Sequence, residues 1–295
     1  MPRPSPIIHL MELSKETAIP SKPSGAVRIL LFSDIHIGLR PSLRELLFSK
    51  RILGYLNHLV RRRSRIRPER IQRLADLLPE IKPDAVLCTG DLSSIGLSSE
   101  FLAAEELLQP FRPYHLLYVP GNHDRYVRDP DALETLRRVF RNLNPTGLEL
   151  DTLPAIQQIN HLAIILLNPA RPVPYHLSCG ILDEKMQQSL TNLLKTLPPQ
   201  TPRIIASHFP ALMPNGTLVG WRHGLRGARH LAEKLFNSEV DAILSGHEHH
   251  PYCFELGNGN CQLCAGSLTL ASSYAICDFL PIPPAPPGGR EEWGK

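Results

Sequence analysis

Six short apolar runs, each typical of a buried strand, are separated mostly by longer segments with helical periodicity. The runs are VRILLFSD, DAVLCTGD, YHLLYVPGNHD, HLAIILLN, PRIIASH and VDAILSGHEHH. Among the segments between them, PERIQRLADLL, SSEFLAAEELLQ and DEKMQQSLTNLLK repeat their apolar residues at the spacing of one helix face. Strands that alternate with helices pack in layers, so the sequence predicts a layered α/β domain.

The composition agrees with this layout and excludes several classes of protein. The chain has 295 residues, of which 42% are hydrophobic and 20% are charged, so it can bury a sizeable core. Its six cysteines follow no secreted disulfide pattern, and no signal peptide is evident. No stretch reaches the roughly 18 apolar residues that a membrane span needs. We therefore expect a cytoplasmic protein, in which any membrane contact is peripheral and at the inner face.

Proline and glycine are concentrated at both ends of the sequence. Residues 1–25 contain five prolines, and the other end reads LPIPPAPPGGREEWGK. Proline lacks a backbone donor and disfavours both helix and strand interiors. We predict a flexible segment over residues 1–25, the α/β domain over 26–280, and a disordered tail over 281–295.

Polar side chains that can bind metal ions follow five of the six apolar runs. These residues are Asp34, His36, Asp91, Asn122, His123, Asp124, His208, His247 and His249. Ligands of open α/β sheets bind beyond the carboxyl ends of the strands, so we expect these groups to converge on one crevice. Glycines at 90, 121 and 246 would let the backbone turn sharply there. Any one of these residues could be a turn or cap, but their recurrence at five strand ends favours a metal site.

The ordered motifs SDIH, TGD, GNHD, SH and SGHEH resemble the signature of the calcineurin-like metallophosphoesterases. The resemblance implies a two-layer β-sandwich flanked by helices, with two divalent metal ions at the sheet edge. It assigns Asp34, His36, Asp91 and His249 to one ion, and Asp91, Asn122, His208 and His247 to the other. Carboxylate, amide and imidazole ligands together suit manganese best, with iron or zinc as alternatives.

Two such ions could share a bridging hydroxide that attacks phosphorus in line with the leaving group. The resemblance also implies that His123 faces the leaving group, as a general acid or as a stabiliser of the transition state. Asp124 could orient His123 by a hydrogen bond, or could simply form the turn. We expect an enzyme that cleaves a phosphodiester or pyrophosphate bond. A non-catalytic scaffold on the same fold is the alternative, and the intact ligand set argues against it.

The segment from residue 42 to residue 73 differs in charge from the rest of the chain. It holds ten lysines or arginines and two acids, a net charge of +8, whereas the whole chain has only +4 and the remainder therefore −4. At 100° per residue one side of a helix carries Lys50, Arg51, Arg61 and Arg62, and the other carries Phe48, Ile52, Leu53, Tyr55, Leu56, Leu59 and Val60. A core-packing helix with a solvated basic face is the simplest interpretation.

A functional interpretation would make this segment part of the substrate site. Its candidates for substrate contact are Arg61, Arg62 and Arg63, and His223 in the loop GWRHGLRG could reach the phosphate from the rim. The partner could be an anionic membrane, a nucleic acid or an extended anionic substrate. Nucleic acid is the weakest choice because the segment lacks a row of stacking aromatic residues. No obligate protein partner is evident.

The stretch KRILGYLNHLVRRR is also similar to the corresponding region of bacterial metallophosphoesterases that hydrolyse UDP-2,3-diacylglucosamine in lipid A biosynthesis. This similarity is less specific than the metal motifs. It makes a lipid-linked nucleotide our first expectation for the substrate. A soluble cyclic-nucleotide phosphodiesterase is the alternative.

Overall fold

The computed structural model describes residues 4–15, 18–46, 49–62 and 64–282. Each of the six apolar runs contains a strand, as the sequence predicts. In chain order the strands are β1 (Ile7–Glu12), β2 (Val27–Phe32), β3 (Ala85–Cys88), β4 (Leu116–Tyr118), β5 (Ala155–Ile159), β6 (Leu162–Leu166), β7 (Gly180–Ile181), β8 (Arg203–Ala206), β9 (Leu225–Arg226), β10 (Ala242–Ser245), β11 (Tyr252–Glu255), β12 (Cys261–Cys264) and β13 (Ser273–Phe279).

The strands form two large sheets and one small one. The first sheet has the order β1-β13-β2-β3-β4, and the second has the order β11-β12-β10-β8-β6-β5. Strands β2, β3 and β4 run parallel to one another, as do β6, β8, β10 and β12. Antiparallel strands lie at the margins, including the hairpin of β11 and β12. The parallel centres bring many strand ends to the same edge of each sheet.

The helices alternate with the strands along most of the chain. Their bounds are α1 (Leu43–Leu46), α2 (Arg51–Asn57), α3 (Glu69–Asp76), α4 (Leu78–Ile81), α5 (Ser98–Leu108), α6 (Pro130–Leu143), α7 (Glu184–Thr196), α8 (Ala228–Phe236) and α9 (Leu268–Ala271). A π-helical turn, His58–Arg62, extends α2, and 3₁₀ turns cover Gln109–Tyr114 and Leu150–Thr152. Within the described ranges, no helix is both long enough and apolar enough to cross a membrane.

The core lies between the two large sheets and beneath the helices. On β6, Ile164 belongs to the cluster that includes both sheets, whereas its neighbour Ile165 belongs to a second cluster with α7 and α8. Alternate residues of a strand point to opposite faces, so both faces of this sheet are covered. Strands buried on both faces have nearly continuous apolar sequences, as the six runs do. The two-layer β-sandwich flanked by helices is therefore confirmed.

The N-terminal segment differs from the sequence-based expectation. Residues 7–12 form β1, which pairs antiparallel with β13 at the edge of the first sheet, from Ile7 opposite Asp278 to Glu12 opposite Ser273. The prediction of a flexible segment over 1–25 is therefore wrong for this stretch. Pro4 and Pro6 precede the strand and do not interrupt it. Most of the predicted disordered tail, residues 283–295, lies outside the described residues.

A buried ion pair joins the two strands at the centre of the first sheet. Arg28 on β2 lies opposite Asp278 on β13, and its Nε and Nη2 atoms each donate to that carboxylate at 2.7 Å. Nη1 donates to the carbonyl oxygens of Pro20 and Ile81. Every nitrogen of this buried guanidinium therefore has an acceptor, and the pair fixes the register of β13 on β2.

We predict that Arg28→Ala lowers the free energy of unfolding by about 3 to 5 kcal/mol, because it leaves Asp278 charged and buried. Chemical denaturation measures the change. Arg137→Ala, which removes an exposed ion pair with Asp151, is the matched control and should cost less than about 1 kcal/mol. Equal effects of the two substitutions would contradict the role assigned to Arg28.

Candidate metal centre

The predicted ligand residues converge at the carboxyl ends of strands from both large sheets. In the first sheet, Asp34 and His36 follow β2, Asp91 follows β3, and Asn122 follows β4. In the second sheet, His208 follows β8, and His247 and His249 follow β10. The crevice expected from the alternating sequence is thus formed where the two sheets meet.

The first group of ligands comprises Asp34, His36, Asp91 and His249. One ligand atom from each of these residues lies within 4.8 Å of the ligand atoms of the other three. Oδ1 of Asp34 lies 3.1 Å from Nε2 of His249 and 3.6 Å from Nε2 of His36. The two imidazole nitrogens are themselves 2.9 Å apart. These distances place all four side chains around one position.

The second group contains Asp91, Asn122, His208 and His247. Nε2 of His208 lies 3.4 Å from Oδ2 of Asp91, 3.1 Å from Oδ1 of Asn122 and 3.3 Å from Nδ1 of His247. The same Oδ2 atom of Asp91 lies 3.9 Å from Nε2 of His36 in the first group. Asp91 is therefore the residue that the two groups share, as the resemblance implies for a bridging carboxylate.

Backbone carbonyl groups orient two of the histidine rings. Nδ1 of His208 lies 2.7 Å from the carbonyl oxygen of Thr89, and Nδ1 of His36 lies 3.4 Å from that of Ser93. A carbonyl oxygen can only accept, so Nδ1 is the donor in each of these contacts, and Nε2 of each ring is the nitrogen that faces the crevice. Such hydrogen bonds fix the tautomer of metal-binding histidines.

The chemistry of this group fits divalent cations. The buried Oδ1 atom of Asp34 accepts no hydrogen bond of normal geometry from the described residues. Burial, the largest single influence, raises the pKa of Asp34, but the charge and hydrogen bond of His249 and the charge of His208 together hold the pKa well below its usual range. An ionised carboxylate therefore faces two imidazole nitrogens that lie 2.9 Å apart. A cation bound there would satisfy both kinds of atom.

The backbone at the ligand positions adopts an unusual conformation. Asp34, His36, Asp91, His247 and His249 all have positive φ, between 46° and 75°. This left-handed region is uncommon for residues other than glycine, and such conformations cluster at functional sites. The turn after each strand thereby directs these side chains into the crevice.

Two glycines allow the ligand turns to approach one another closely. A Cβ atom on Gly121 would lie 2.2 Å from Oδ1 of Asp91, and one on Gly246 would lie 1.9 Å from Oγ of Ser33 and 2.4 Å from Oδ2 of Asp34. Neither position has room for a side chain. The absence of a side chain at these two glycines therefore lets the ligand turns pack directly against one another.

His123 lies beside both ligand groups, and the hydrogen bonds described for Asp124 are with residues other than His123. Nδ1 of His123 lies 2.5 Å from the carbonyl oxygen of Ser94, and its backbone N–H donates to Asp91. Asp124 instead accepts from Ser93, from the backbone N–H of Gly121 and from the Tyr118 hydroxyl. Burial, then the charge of Asp91, raises the pKa of Asp124 to about 6. Asp124 therefore stabilises the turn, which is one of the two roles that the sequence left open for it, and the described contact of the His123 ring nitrogen is with Ser94.

The aromatic residue Tyr126, which the sequence analysis missed, extends the site beyond His123. Its ring stacks on His123 with centroids 5.4 Å apart, and Nζ of Lys50, the residue just before α2, lies 4.4 Å from the centroid of the Tyr126 ring. The metal crevice is a pocket of about 300 Å³, and Tyr126 lines a neighbouring groove of about 1210 Å³. The only sequence signal was an aromatic residue three positions after His123 in a loop.

The basic segment is oriented differently from the simplest interpretation. Arg51 is buried, and its guanidinium donates to the carbonyl oxygens of Ile95 and Gly96 and to Asp129. Tyr55 also packs inward, with its ring stacked on His58. The expectation that Arg51 belongs to a solvated basic face is therefore wrong, and so is the expectation that Ile52, Leu53 and Leu56 pack on the core, because all three are exposed.

The predicted substrate contacts are only partly described. Arg63 and Phe48 lie outside the described residues, as do the side chains of Arg61 and Arg62. His223 lines the metal pocket, where its Nδ1 lies 2.7 Å from Oγ of Ser178 and its carbonyl oxygen contacts the ring of His247. A role of His223 in substrate binding stays a prediction.

Similarity to known proteins agrees with this geometry. A family model described as calcineurin-like phosphoesterase matches residues 27–251. A cAMP/cGMP dual specificity phosphodiesterase of Mycobacterium tuberculosis is 30% identical over 186 residues, which cover 60% of this chain and 54% of that protein. The chain thus spans about half the length of the curated relatives it matches.

Solved structures with the same fold include two phosphatases. A dimetal phosphatase from Danio rerio superimposes with a TM-score of 0.54 at 14% identity, over 86% of this chain and 93% of that one. Purple acid phosphatase PPD1 from yellow lupin seeds has a TM-score of 0.56 at 12% identity, over 89% of this chain and 47% of that one. At such low identity these likenesses establish the fold alone.

We predict that Asp91→Ala lowers the metal content of the purified protein at both positions, because each ligand group loses the carboxylate that they share. Inductively coupled plasma mass spectrometry measures the bound metal. Asp183→Ala, which removes an exposed cap of α7, is the control and should leave the metal content unchanged. Full metal occupancy in folded Asp91→Ala protein would refute the bridging assignment.

Proposed function

Because this chain belongs to the calcineurin-like phosphoesterase family, and is therefore a hydrolase of phosphoric esters, we propose that its substrate contains a phosphodiester or pyrophosphate bond. The observation that carries the proposal is the sharing of Asp91 between two ligand groups. A site of this kind suits the displacement of one oxygen substituent from phosphorus by another.

Seven residues would hold the two cations. Asp34, His36 and His249 would bind one, Asn122, His208 and His247 would bind the other, and Asp91 would bind both. Bound divalent cations supply Lewis-acid charge and a nucleophile at neutral pH. The mixture of carboxylate, amide and imidazole favours manganese, with iron or zinc as alternatives.

His123 would act on the leaving group from the side of the groove. The Ser94 carbonyl oxygen and the stacked Tyr126 ring limit rotation of the imidazole. A positioned imidazole can donate a proton to the departing oxygen, a contribution typically worth about 10² to 10⁴ in rate. Asp124 would support this arrangement indirectly, because it binds the turns that carry Ser93 and Gly121.

The lining of the groove beside His123 favours a substrate whose phosphorus carries a large second substituent. Lys50, Ile52, Leu53 and Tyr126 line it, so its wall combines a cation, an aromatic ring and apolar side chains. A lipid-linked nucleotide such as UDP-2,3-diacylglucosamine has matching chemistry, with a pyrophosphate to bind the metal centre and acyl chains to contact leucine and isoleucine. We therefore retain it as the first candidate substrate.

A cyclic nucleotide is the second candidate. Its support is the printed name of the Mycobacterium tuberculosis relative, which is 30% identical over 60% of this chain. A cyclic phosphodiester is compact and would make little use of the apolar wall of the groove. Substitutions in that wall consequently discriminate between the two candidates.

We predict that His123→Ala lowers kcat for bis-p-nitrophenyl phosphate by about 10²-fold or more while both metal ions remain bound. Steady-state kinetics and metal analysis on the same preparation measure the two quantities. His115→Ala is the matched control, since His115 precedes β4 away from the crevice. Loss of metal in the His123 variant would make this residue a ligand and contradict its assigned role.

We further predict that the manganese-loaded protein hydrolyses UDP-2,3-diacylglucosamine faster than cyclic AMP, and that Leu53→Ser raises KM for the lipid-linked substrate alone. The serine removes apolar contact from the groove wall without touching the metal ligands. The phosphate-containing products are quantified by chromatography. Efficient turnover of cyclic AMP with no effect of Leu53→Ser would establish the cyclic nucleotide as the better candidate.

A further inference from the structure

The helical segment formed by α2 and its π-helical turn packs with its apolar side outward. Its inner side carries the buried Arg51, with His58 also buried and Gly54 between them. A Cβ atom on Gly54 would lie 2.6 Å from the Tyr126 hydroxyl, and one on Gly38 would lie 2.2 Å from the His58 ring. The segment therefore contacts the protein through close backbone approach and a hydrogen-bonded arginine.

The outer side presents a continuous row of large apolar residues. Ile52, Leu53, Leu56, Leu59 and Val60 follow the spacing of one helix face. Their exposed fractions are 41%, 55%, 52%, 37% and 79% respectively. We call these five residues the apolar face. An exposed apolar surface of this kind marks an interaction site in a soluble chain.

Charge around the apolar face indicates what covers it. Arg40, Arg44 and Arg65 are exposed near the ends of the helical segment, and residues 42–73 have a net charge of +8 in a chain whose remainder is negative. A helix that combines an apolar face with surrounding basic residues binds anionic lipid surfaces, because the apolar side chains enter the lipid and the basic ones contact the headgroups. We propose that the apolar face docks onto an anionic lipid bilayer.

The same charge disfavours a second copy of the chain as the occupant. Two copies that met through this face would bring together two segments of net charge +8. Like charges held at close range repel each other, and this cost would oppose burial of the leucines. Anionic headgroups replace that repulsion with attraction.

Docking in this way has a consequence for access to the groove. Ile52 and Leu53 belong to the apolar face and also line the groove beside Tyr126. The groove would therefore open near the lipid surface, while the metal pocket stays on the aqueous side of Tyr126. The docking itself is independent of which phosphodiester is the substrate.

The test is co-sedimentation of the full chain with vesicles of equal parts phosphatidylglycerol and phosphatidylcholine, and with vesicles of phosphatidylcholine alone. We expect binding to the anionic vesicles, weaker binding to the zwitterionic ones, and a severalfold loss when salt rises from about 0.1 M to about 1 M. The triple variant Leu56→Ser, Leu59→Ser, Val60→Ser should bind the anionic vesicles about tenfold more weakly or worse.

A matched triple variant tests whether loss of any exposed apolar surface, rather than of the apolar face, weakens vesicle binding. Leu102→Ser, Leu218→Ser and Phe236→Ser change three residues with exposed fractions of 41%, 40% and 53% that lie elsewhere on the molecule. This control should bind vesicles like the unmodified chain. Both triple variants should hydrolyse bis-p-nitrophenyl phosphate at the unmodified rate, so that a failure of docking is distinguished from a failure of the metal centre.

Three results would overturn the proposal. The first is no binding of the unmodified chain to anionic vesicles, and the second is equal binding by the two triple variants. The third is a dimer in analytical ultracentrifugation that only the Leu56, Leu59 and Val60 changes convert to a monomer. That third result would make the apolar face an interface between two copies.

Discussion

The arrangement of this molecule depends on one carboxylate that both sheets must reach. Oδ2 of Asp91 lies 3.4 Å from His208, which follows a strand of the second sheet, and 3.9 Å from His36, which follows a strand of the first. The sheets can approach this closely only if the turns between them are narrow. Gly121 and Gly246 allow this approach because neither has a side chain between the turns. The left-handed backbone at the candidate ligands directs their side chains inward. Cations bound by these candidate ligands would offset the cost of the strained turns.

The sequence predicts the central strands and the metal ligands because both leave local signals. A strand buried on two faces is a short, nearly continuous apolar run, and each candidate ligand stands within a few positions of its end. The motifs therefore locate Asp34, Asp91 and His208 without any knowledge of distant contacts. The glycine positions are equally local, since each lies directly beside a ligand turn.

Elements that depend on remote partners could not be predicted in this way. Strand β1 forms because Ile7–Glu12 pairs with β13 near the other end of the chain. The prolines near β1 instead suggest a flexible segment. Periodicity identifies which residues of α2 share a face, but it does not determine which face points inward. The carbonyl oxygens of Ile95 and Gly96 determine the inner face, because they accept hydrogen bonds from the Arg51 guanidinium. The sequence left two roles open for Asp124 for the same reason, because its donors lie on neighbouring turns.

The position of β13 has a consequence for the order in which the protein is made. This strand lies between β1 and β2, and it carries Asp278, the counterion of Arg28. During synthesis from the N-terminus, β1 and β2 emerge long before the strand that separates them. Until β13 arrives, both have unpaired edges and Arg28 lacks its carboxylate, so the first sheet is a ready template for pairing with other nascent chains. The unpaired edges of β1 and β2 therefore need protection from other chains until β13 has been synthesised.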